Sequence, residues 1–393
     1  MKRVLIFSLA YYPHIGGAEI ALKEITDRID DIEFHLITLR FSGEPREERI
    51  GAVQVHRVGG GGSYLQKMLF VPRAARCAAR LQRTQSFDAY WAMMSYMLFP
   101  IVLLRALGIR MPYLLTLQEG DPFAHVFDRF RIVPFRPLLT AGFKHASAVQ
   151  AISTFLAAWA KRAGFPGTPD IIGNGVDGAG FTRTYAETNI VAMREALGKK
   201  ATDVFLVTTS RLVPKNAVDD VIRALSLLPE NIHFIIYGVG PDEALLRELA
   251  AKTGVEERVH FKGQIGHAEM PLALKACDIF IRPSRSEGMG NSFIEAMAAG
   301  LPVIATQEGG IADFLFDAKR NPEKESTGWA VDKDSPEQIA AAVEDILAHP
   351  EQVARVKATA RNLVLARYDW QNIAQEIRAL FDRVFTESVQ EVS

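Results

Sequence analysis

Short apolar runs of four to seven residues alternate with stretches of helical periodicity along most of the chain, and no other feature constrains the fold as strongly. Runs at 4–8, 34–39 and 113–117 read as early strands, and runs at 204–210, 233–237, 259–262, 279–282 and 302–306 as later ones. Helical patterns such as 217–228 and 242–252 separate them. Strand, helix and strand in repeated succession is the pattern of βα units winding parallel sheets. At 393 residues the chain exceeds a single core, so two α/β domains are expected. The stretch 173–200, rich in Gly, Asn and Thr and opening with the Asn174-Gly175 turn, is the expected linker. The last helix, from Tyr368-Asp369-Trp370 onward, places Ile373, Ile377, Leu380 and Val384 on one face. Open parallel sheets bind ligands just outside the carboxyl ends of their strands, which makes an inter-domain cleft the expected site.

Composition excludes several classes. Apolar residues make up 48% and charged residues 23%, as in a globular protein. A formal net charge of −1 argues against a dedicated nucleic-acid binder. Cys77 and Cys277 alone cannot build a disulfide framework or a cysteine-rich zinc site, and a reduced, cytoplasmic setting is expected. Lys2-Arg3 and the apolar residues 4–10 imitate the start of a leader, but Tyr11-Tyr12-Pro13 follows with no cleavage pattern, so a buried strand is the reading. The uncharged stretch 89–104 is interrupted by Pro100 and too short to span a bilayer; a strand and a buried helix are expected there.

Three segments could carry chemistry. The residues from Tyr11 through His14, Ile15, Gly16, Gly17 and Glu19 follow the first strand and open a helix, where bare backbone and helix-start amides suit a phosphate. Read alone, the segment is equally an ordinary strand-to-helix turn. Arg211 closes the strand at 204–210 and Lys215 follows four residues later, a cationic pair suited to a diphosphate. The most informative segment is Glu287-Gly288-Met289-Gly290-Asn291-Ser292-Phe293-Ile294-Glu295, after the strand at 279–282. Its glycines bare the backbone, Asn291-Ser292 are expected to cap the next helix, and two carboxylates can accept hydrogen bonds from sugar and ribose hydroxyls. Glu295 also fits a capping box with Ser292, whereas Glu287 has no comparable structural role.

Other motifs are incomplete. Gly238-Val239-Gly240 follows a strand without the third glycine of a dinucleotide fingerprint, although Gly238 stays in the candidate donor set. No P-loop, H-E-x-x-H or G-x-S-x-G occurs, Asp332-Lys333-Asp334 precedes a helix start and reads as a turn, and the nine histidines show no ligand spacing. No metal site is expected.

The spacing Glu-x7-Glu within E-G-M-G-x-x-x-x-E-A-M, followed by G-x-P-V, resembles the retaining glycosyltransferases of family 4, with the GT-B fold. Six further matches occur in order: Y-P-x-x-G-G-x-E at 12–19, N-G-V-D at 174–177, S-R-L-x-x-K at 210–215, V-x-F-x-G at 259–263, Gly309-Gly310, and R-Y-x-W at 367–370. The resemblance implies two Rossmann-like, doubly wound parallel-sheet domains: residues 1–178 with a returning helix at 369–393, and 179–368. It implies a hexose-type transfer from a UDP- or GDP-linked donor to a glycan or lipid-linked hydroxyl, by front-face attack and without a metal or other cofactor. Arg211, Lys215 and Glu287 would be catalytic. Gly16, Gly17, Gly238, Gln264, Ile265, Gly288, Met289, Gly290, Asn291, Ser292 and Glu295 would bind the donor, and His14, Gln118, Glu119 and Asp121 would meet acceptor or sugar. The sequence departs from the family at Gln118, where many relatives carry histidine, at Asn216, usually glycine, and at Asp313, often glutamate.

Between 51 and 145 twelve Lys and Arg residues face four Asp and Glu residues. Arg73, Arg76, Arg80 and Arg83 are at helical spacing, and Tyr64, Leu65, Met68, Leu69 and Phe70 supply apolar bulk, a composition that suits an anionic membrane surface as well as a solvated helix face. A peripheral contact at the inner face of the membrane is therefore expected, delivering a lipid-linked or cell-envelope acceptor. Two rivals stay open on the sequence: a GT-B nucleotide-sugar epimerase and a non-catalytic sugar-nucleotide-binding protein.

Overall fold

The structure, a computed structural model, describes residues 1–390. It divides into two compact units, Met1–Gly175 with Trp370–Ser393 and, between them in sequence, Val176–Asp369.

The N-terminal unit is built on eight strands: β1 (Lys2–Phe7), β2 (Ile32–Leu39), β3 (Glu47–Ile50), β4 (Val53–Val58), β5 (Ala89–Met93), β6 (Tyr113–Leu117), β7 (Ala148–Ala151) and β8 (Asp170–Ile171). They pair in the order β3-β4-β2-β1-β5-β6-β7-β8. All pairs are parallel except the edge pair β3 and β4. Every residue of β5 and β6 is buried, as expected where helices cover both faces of a parallel sheet. The closing helix, Trp370–Gln390, belongs to this unit because its apolar stripe has nowhere else to go. Ile373, Ile377, Leu380 and Val384 are buried in one cluster with Val4, Ile6, Trp91 and Leu114. Each such side chain contributes ~1.5–3 kcal/mol relative to an exposed one.

The second unit carries β9 (Val204–Thr209), β10 (Ile232–Tyr237), β11 (Val259–Gly263), β12 (Ile279–Arg282), β13 (Val303–Ala305) and β14 (Trp329–Ala330), in the order β11-β10-β9-β12-β13-β14. All its pairs are parallel. The stretch expected as a linker, 173–200, is more ordered than its composition implies, since it holds helices Gly178–Thr182 and Glu187–Leu197.

Both sheets have a switch point where the strand order reverses direction, between β1 and β5 and between β9 and β12. The loops leaving the carboxyl ends of those strands are where such sheets present ligand-binding groups. The loops after β1 and β6 contain His14, Gly16, Gln118, Glu119 and Asp121, and Gly17 opens the helix that follows β1. Those after β9, β10 and β12 contain Arg211, Lys215, Gly238 and residues 287–290, and residues 291–292 open the helix that follows.

Helix α1 (Gly17–Thr26) follows β1, and helix α2 (Tyr64–Gln85) precedes β5. The Ser63 hydroxyl accepts from Gln66 N at the start of α2. The helix buries Phe70, Ala74, Cys77, Ala78 and Leu81 and turns Arg76, Arg80 and Arg83 to solvent. The apolar set expected at a membrane therefore shrinks. Tyr64, Leu65 and Met68 are exposed, but Phe70 is fully buried because it faces the sheet side of the same helix.

Candidate functional site

In the second unit the site is organised by a residue that the sequence reading did not single out. Arg282, the last residue of β12, is buried. Its Nη1 donates to Ser292 Oγ at 2.8 Å and its Nη2 to Glu287 Oε2 at 2.8 Å, while the guanidinium lies 4.2 Å from the Phe293 ring centroid. Burial pulls its pKa below the usual arginine range, and the carboxylates of Glu287 and Glu295 oppose that shift. The sequence did contain a signal: an arginine ending a strand of otherwise buried residues must find a carboxylate.

Glu287 is thus fixed at one oxygen by Arg282, and its Oε1 accepts from Gly288 N at 3.1 Å. Its backbone is pinned as well. Gly310 N donates to Glu287 O at 3.2 Å, and a Cβ on Gly309 would come within 1.8 Å of that same oxygen. Only glycine allows this approach, and its φ of +59° adds a second reason. Gly288 and Met289 are buried beside it.

The helix Asn291–Ala299 starts differently from the expectation. Its N-cap is Gly290, with φ of 89°, and no side chain caps it. Ser292 lies one residue inside the helix and accepts from Arg282, so neither the Asn291-Ser292 cap nor the capping box forms. The physical reason is the buried guanidinium, which takes the hydroxyl that would otherwise face the helix amides. Glu295 is thereby released from a capping role. Its side chain is 11% exposed, and its Oε1 lies 3.4 Å from His267 Nε2, a histidine the sequence reading also passed over.

Arg211 is exposed at the end of β9, and Lys215 is half-buried in a short turn. Two contacts hold their loop. Asn216 Nδ2 donates to Arg211 O at 2.6 Å, and Arg285 N donates to Lys215 O at 2.7 Å. Arg285 is anchored in turn by Asp219, Asp220 and Asp334, and the Asp219 carboxylate raises its pKa. Gly238 has a packing role at the end of β10, since a Cβ there would sit 1.8 Å from Ser210 O. Gln264 is exposed and Ile265 partly buried, just past the edge strand β11.

In the N-terminal unit the loops are held mainly through backbone. Gly16 and Gly17 are exposed at the start of α1, and Gly16 N donates to Glu19 Oε2 at 2.8 Å. Burial raises the Glu19 pKa. His14 pairs with Glu44 at 2.8 Å. Gln118 and Asn174 exchange two amide hydrogen bonds of 3.1 Å. Glu119 is buried, with Oε1 accepting from Ser95 N at 2.6 Å and Oε2 from Gln118 N at 3.0 Å, and burial raises its pKa. Asp121 is half exposed, 4.0 Å from His125. Among the described residues, no group of three or more His, Cys, Asp or Glu is placed to hold a metal ion.

Known proteins show what this arrangement resembles. Residues 15–179 match the model of Glycosyltransferase Family 4, and residues 189–363 that of Glycosyl transferases group 1. The chain belongs to the group 1, family 4 glycosyltransferases. Its fold is GT-B, two α/β units each built on a largely parallel sheet. It is 32% identical over 213 residues to a GDP-mannose-dependent alpha-(1-6)-phosphatidylinositol monomannoside mannosyltransferase of Mycobacterium tuberculosis, a match covering 52% of this chain and 53% of that one. The chain spans about half the length of these curated relatives. In fold it is similar to a sucrose-phosphate synthase from Thermosynechococcus elongatus, with a TM-score of 0.84 and 18% identity over 98% of this chain and 100% of that chain. It is similar also to Anabaena HepE in complex with UDP and glucose, with a TM-score of 0.79 and 21% identity over 97% of this chain and 100% of that chain.

Proposed function

We propose that the protein is a retaining glycosyltransferase that moves a hexose from a nucleotide-sugar donor to a hydroxyl of a glycan or lipid-linked acceptor. The observation that carries this is the 287–295 segment, where a fully buried arginine holds one carboxylate and strips the second of its helix-capping alternative. In this reading Glu287, fixed at Oε2, directs its remaining capacity at the donor sugar, and Glu295 holds the ribose. Backbone of residues 288–292, with Gly238, Gln264 and Ile265, lines the donor, and Gly16 and Gly17 meet its phosphates.

Arg211 and Lys215 supply the countercharge for the departing diphosphate, the task a divalent metal performs in other transferases. The bond between the sugar C1 and the diphosphate oxygen breaks. The acceptor oxygen bonds to C1 on the same face, and its proton passes to an oxygen of the departing diphosphate. Gln118 and Asp121 meet the acceptor. Glu119 acts on that side through the backbone it holds.

A relative named as GDP-mannose-dependent and a fold neighbour in complex with UDP support a UDP- or GDP-linked donor. The phosphatidylinositol mannoside in that relative's name supports a lipid-linked acceptor. Among the described residues no helix is long and apolar enough to cross a membrane. Access to such an acceptor would then use a peripheral surface, and the exposed Tyr64, Leu65 and Met68 beside the α2 arginines fit one.

The test is a panel of UDP-, GDP- and ADP-sugars. One should raise the melting temperature, since a ligand that binds only the folded state stabilises it. With acceptor present, that donor should release nucleotide and yield an α-linked product from an α-linked donor. A changed nucleotide-sugar without acceptor would replace this reading with epimerisation.

A further inference from the structure

Met94 leaves the carboxyl end of β5, at the switch point of the N-terminal sheet, with φ of 71° and ψ of 156°. Glycine alone enters this region readily, and a side chain held there is under strain that persists only where the surroundings impose it. Here they do. Met94 N donates to Thr116 O at 2.8 Å, Met97 N to Met94 O at 3.0 Å, and Ser95 N to Glu119 Oε1 at 2.6 Å. Tyr96 Oη donates to Val126 O at 2.7 Å and ties down the next residue of the turn. A buried carboxylate must be hydrogen-bonded, and Glu119 uses Oε2 to hold Gln118 N as well.

The strain stabilises nothing within the fold. Met93 and Ser95 are buried, whereas Met94 is 37% exposed. A turn needed only for its shape is better made with glycine. The chain instead holds an apolar thioether out of the core, at a strand end where such sheets meet ligands. Gln118 follows the end of the adjacent strand β6. Its amide and that of Asn174 exchange two hydrogen bonds of 3.1 Å, which leaves Gln118 one N–H and one lone pair. Turning the Gln118 amide over by itself would set nitrogen against nitrogen, so Asn174, itself buried, fixes its direction. A polarizable apolar group beside an oriented amide matches a pyranose ring, with C–H groups on its face and hydroxyls at its edge.

We propose that Met94 is a specificity-determining acceptor residue. It lies under the C–H face of the sugar ring that receives the transferred hexose, while Gln118, directed by Asn174 as a positioning residue, reads one of that ring's hydroxyls. The proposal rests on the transferase reading above for the reaction and names the part of the acceptor that is recognised.

For the test, the full chain is labelled at its ten methionine methyl carbons and titrated with methyl α-D-mannopyranoside, methyl α-D-glucopyranoside or 1-butanol. The resonance missing from Met94→Gly identifies Met94. A pyranoside should shift it further than 1-butanol does. No shift with either pyranoside, or an equal shift with 1-butanol, would overturn the proposal, the second because the thioether would then read apolar bulk alone. Met94→Gly, freed of the strain, should melt no lower than the unaltered chain, yet raise the KM of the bound pyranoside as acceptor about tenfold with kcat nearly unchanged. An unchanged acceptor KM would overturn the proposal at any melting temperature. Asn174→Ala should raise that KM in the unaltered chain but not in Gln118→Ala, as a residue acting through another does. Equal losses in both backgrounds would overturn its positioning role. If no donor supports transfer at all, the transferase reading fails, whereas the methyl titration still decides Met94.

Discussion

The two units solve the same problem, presenting groups at the carboxyl ends of a parallel sheet, with different materials. In the second unit the presented carboxylate is tied to a buried arginine on a strand, and the backbone behind it is closed by a glycine contact. In the N-terminal unit the loops after β1 and β6 are held by Glu19 and Glu119, which accept backbone N–H groups, while the groups left facing solvent are few and varied. A group that must sit at a fixed point relative to a reacting bond gains from a rigid element behind it. One that accommodates differing partners is better placed on a loop.

The sharpest way to break this contrast is to remove one presented carboxylate from each unit. Glu287→Ala should lower kcat/KM by about a thousandfold, the loss of a preorganised group at the reacting centre. Asp121→Ala should cost about tenfold and act mainly on the acceptor KM. Steady-state kinetics against both substrates would decide it. If Glu287→Ala leaves transfer unchanged, the donor assignment is wrong.

Stability offers a second comparison. Arg282→Met leaves the Glu287 carboxylate, only 14% exposed, with no countercharge, which should cost ~3 kcal/mol. Glu119→Gln retains one acceptor oxygen and loses a charge-assisted hydrogen bond, so it should cost ~1.5–3 kcal/mol. Denaturant unfolding of each variant would measure both. A smaller loss at Arg282 than at Glu119 would invert the contrast drawn above.

What the sequence revealed follows the same division. The alternating runs, the closing helix and the nine-residue carboxylate segment are local patterns, and periodicity or spacing exposes them. The partners of those patterns are set by sheet order. Arg282 meets Ser292 ten residues on, and Arg285 meets Asp219 across two elements. The short strands β3, β7, β8 and β14 were illegible for a related reason: with two to four residues each, they have no period of their own and exist because a neighbour's edge is available. Ser292 shows the opposite failure, a local motif overruled by a tertiary charge.

Acid should distinguish the units next. Each sheet stacks a histidine pair, His35 with His56 and His233 with His260. Burial, and then His35, lowers the His56 pKa, and Glu47 opposes the shift. Burial lowers His233 and His260 too. Folded-state values below the unfolded one mean that the unfolded chain binds more protons as pH falls. Their stabilisation is therefore complete above about pH 6.5 and is lost below it. His56 is buried, whereas His233 and His260 are both half-buried, so the largest single loss between neutral and mildly acid pH should come from the N-terminal unit, at His56. Calorimetry at both pH values, repeated with His56→Gln, should show a flatter dependence in the variant. An unchanged slope would remove this pair as the cause.

The smallest expected effect probes how the second unit's rigidity extends to its exposed cations. Asn216 occupies a place where the family usually has glycine, and its amide donates to Arg211 O at 2.6 Å. Ala217 follows with φ of 53°, a left-handed conformation unusual for a residue with a Cβ. The Asn216 hydrogen bond offsets part of that strain by closing the turn that carries both Arg211 and Lys215. Asn216→Gly deletes a hydrogen bond worth ~1 kcal/mol and frees the backbone beside it. Because the cations keep their charge, the diphosphate should still depart, and kcat should change less than KM for the donor, which should rise about fivefold. If kcat falls instead while KM holds, the turn acts on the leaving group in the transition state. Rigidity in this unit would then matter beyond the carboxylates, at the exposed cations themselves.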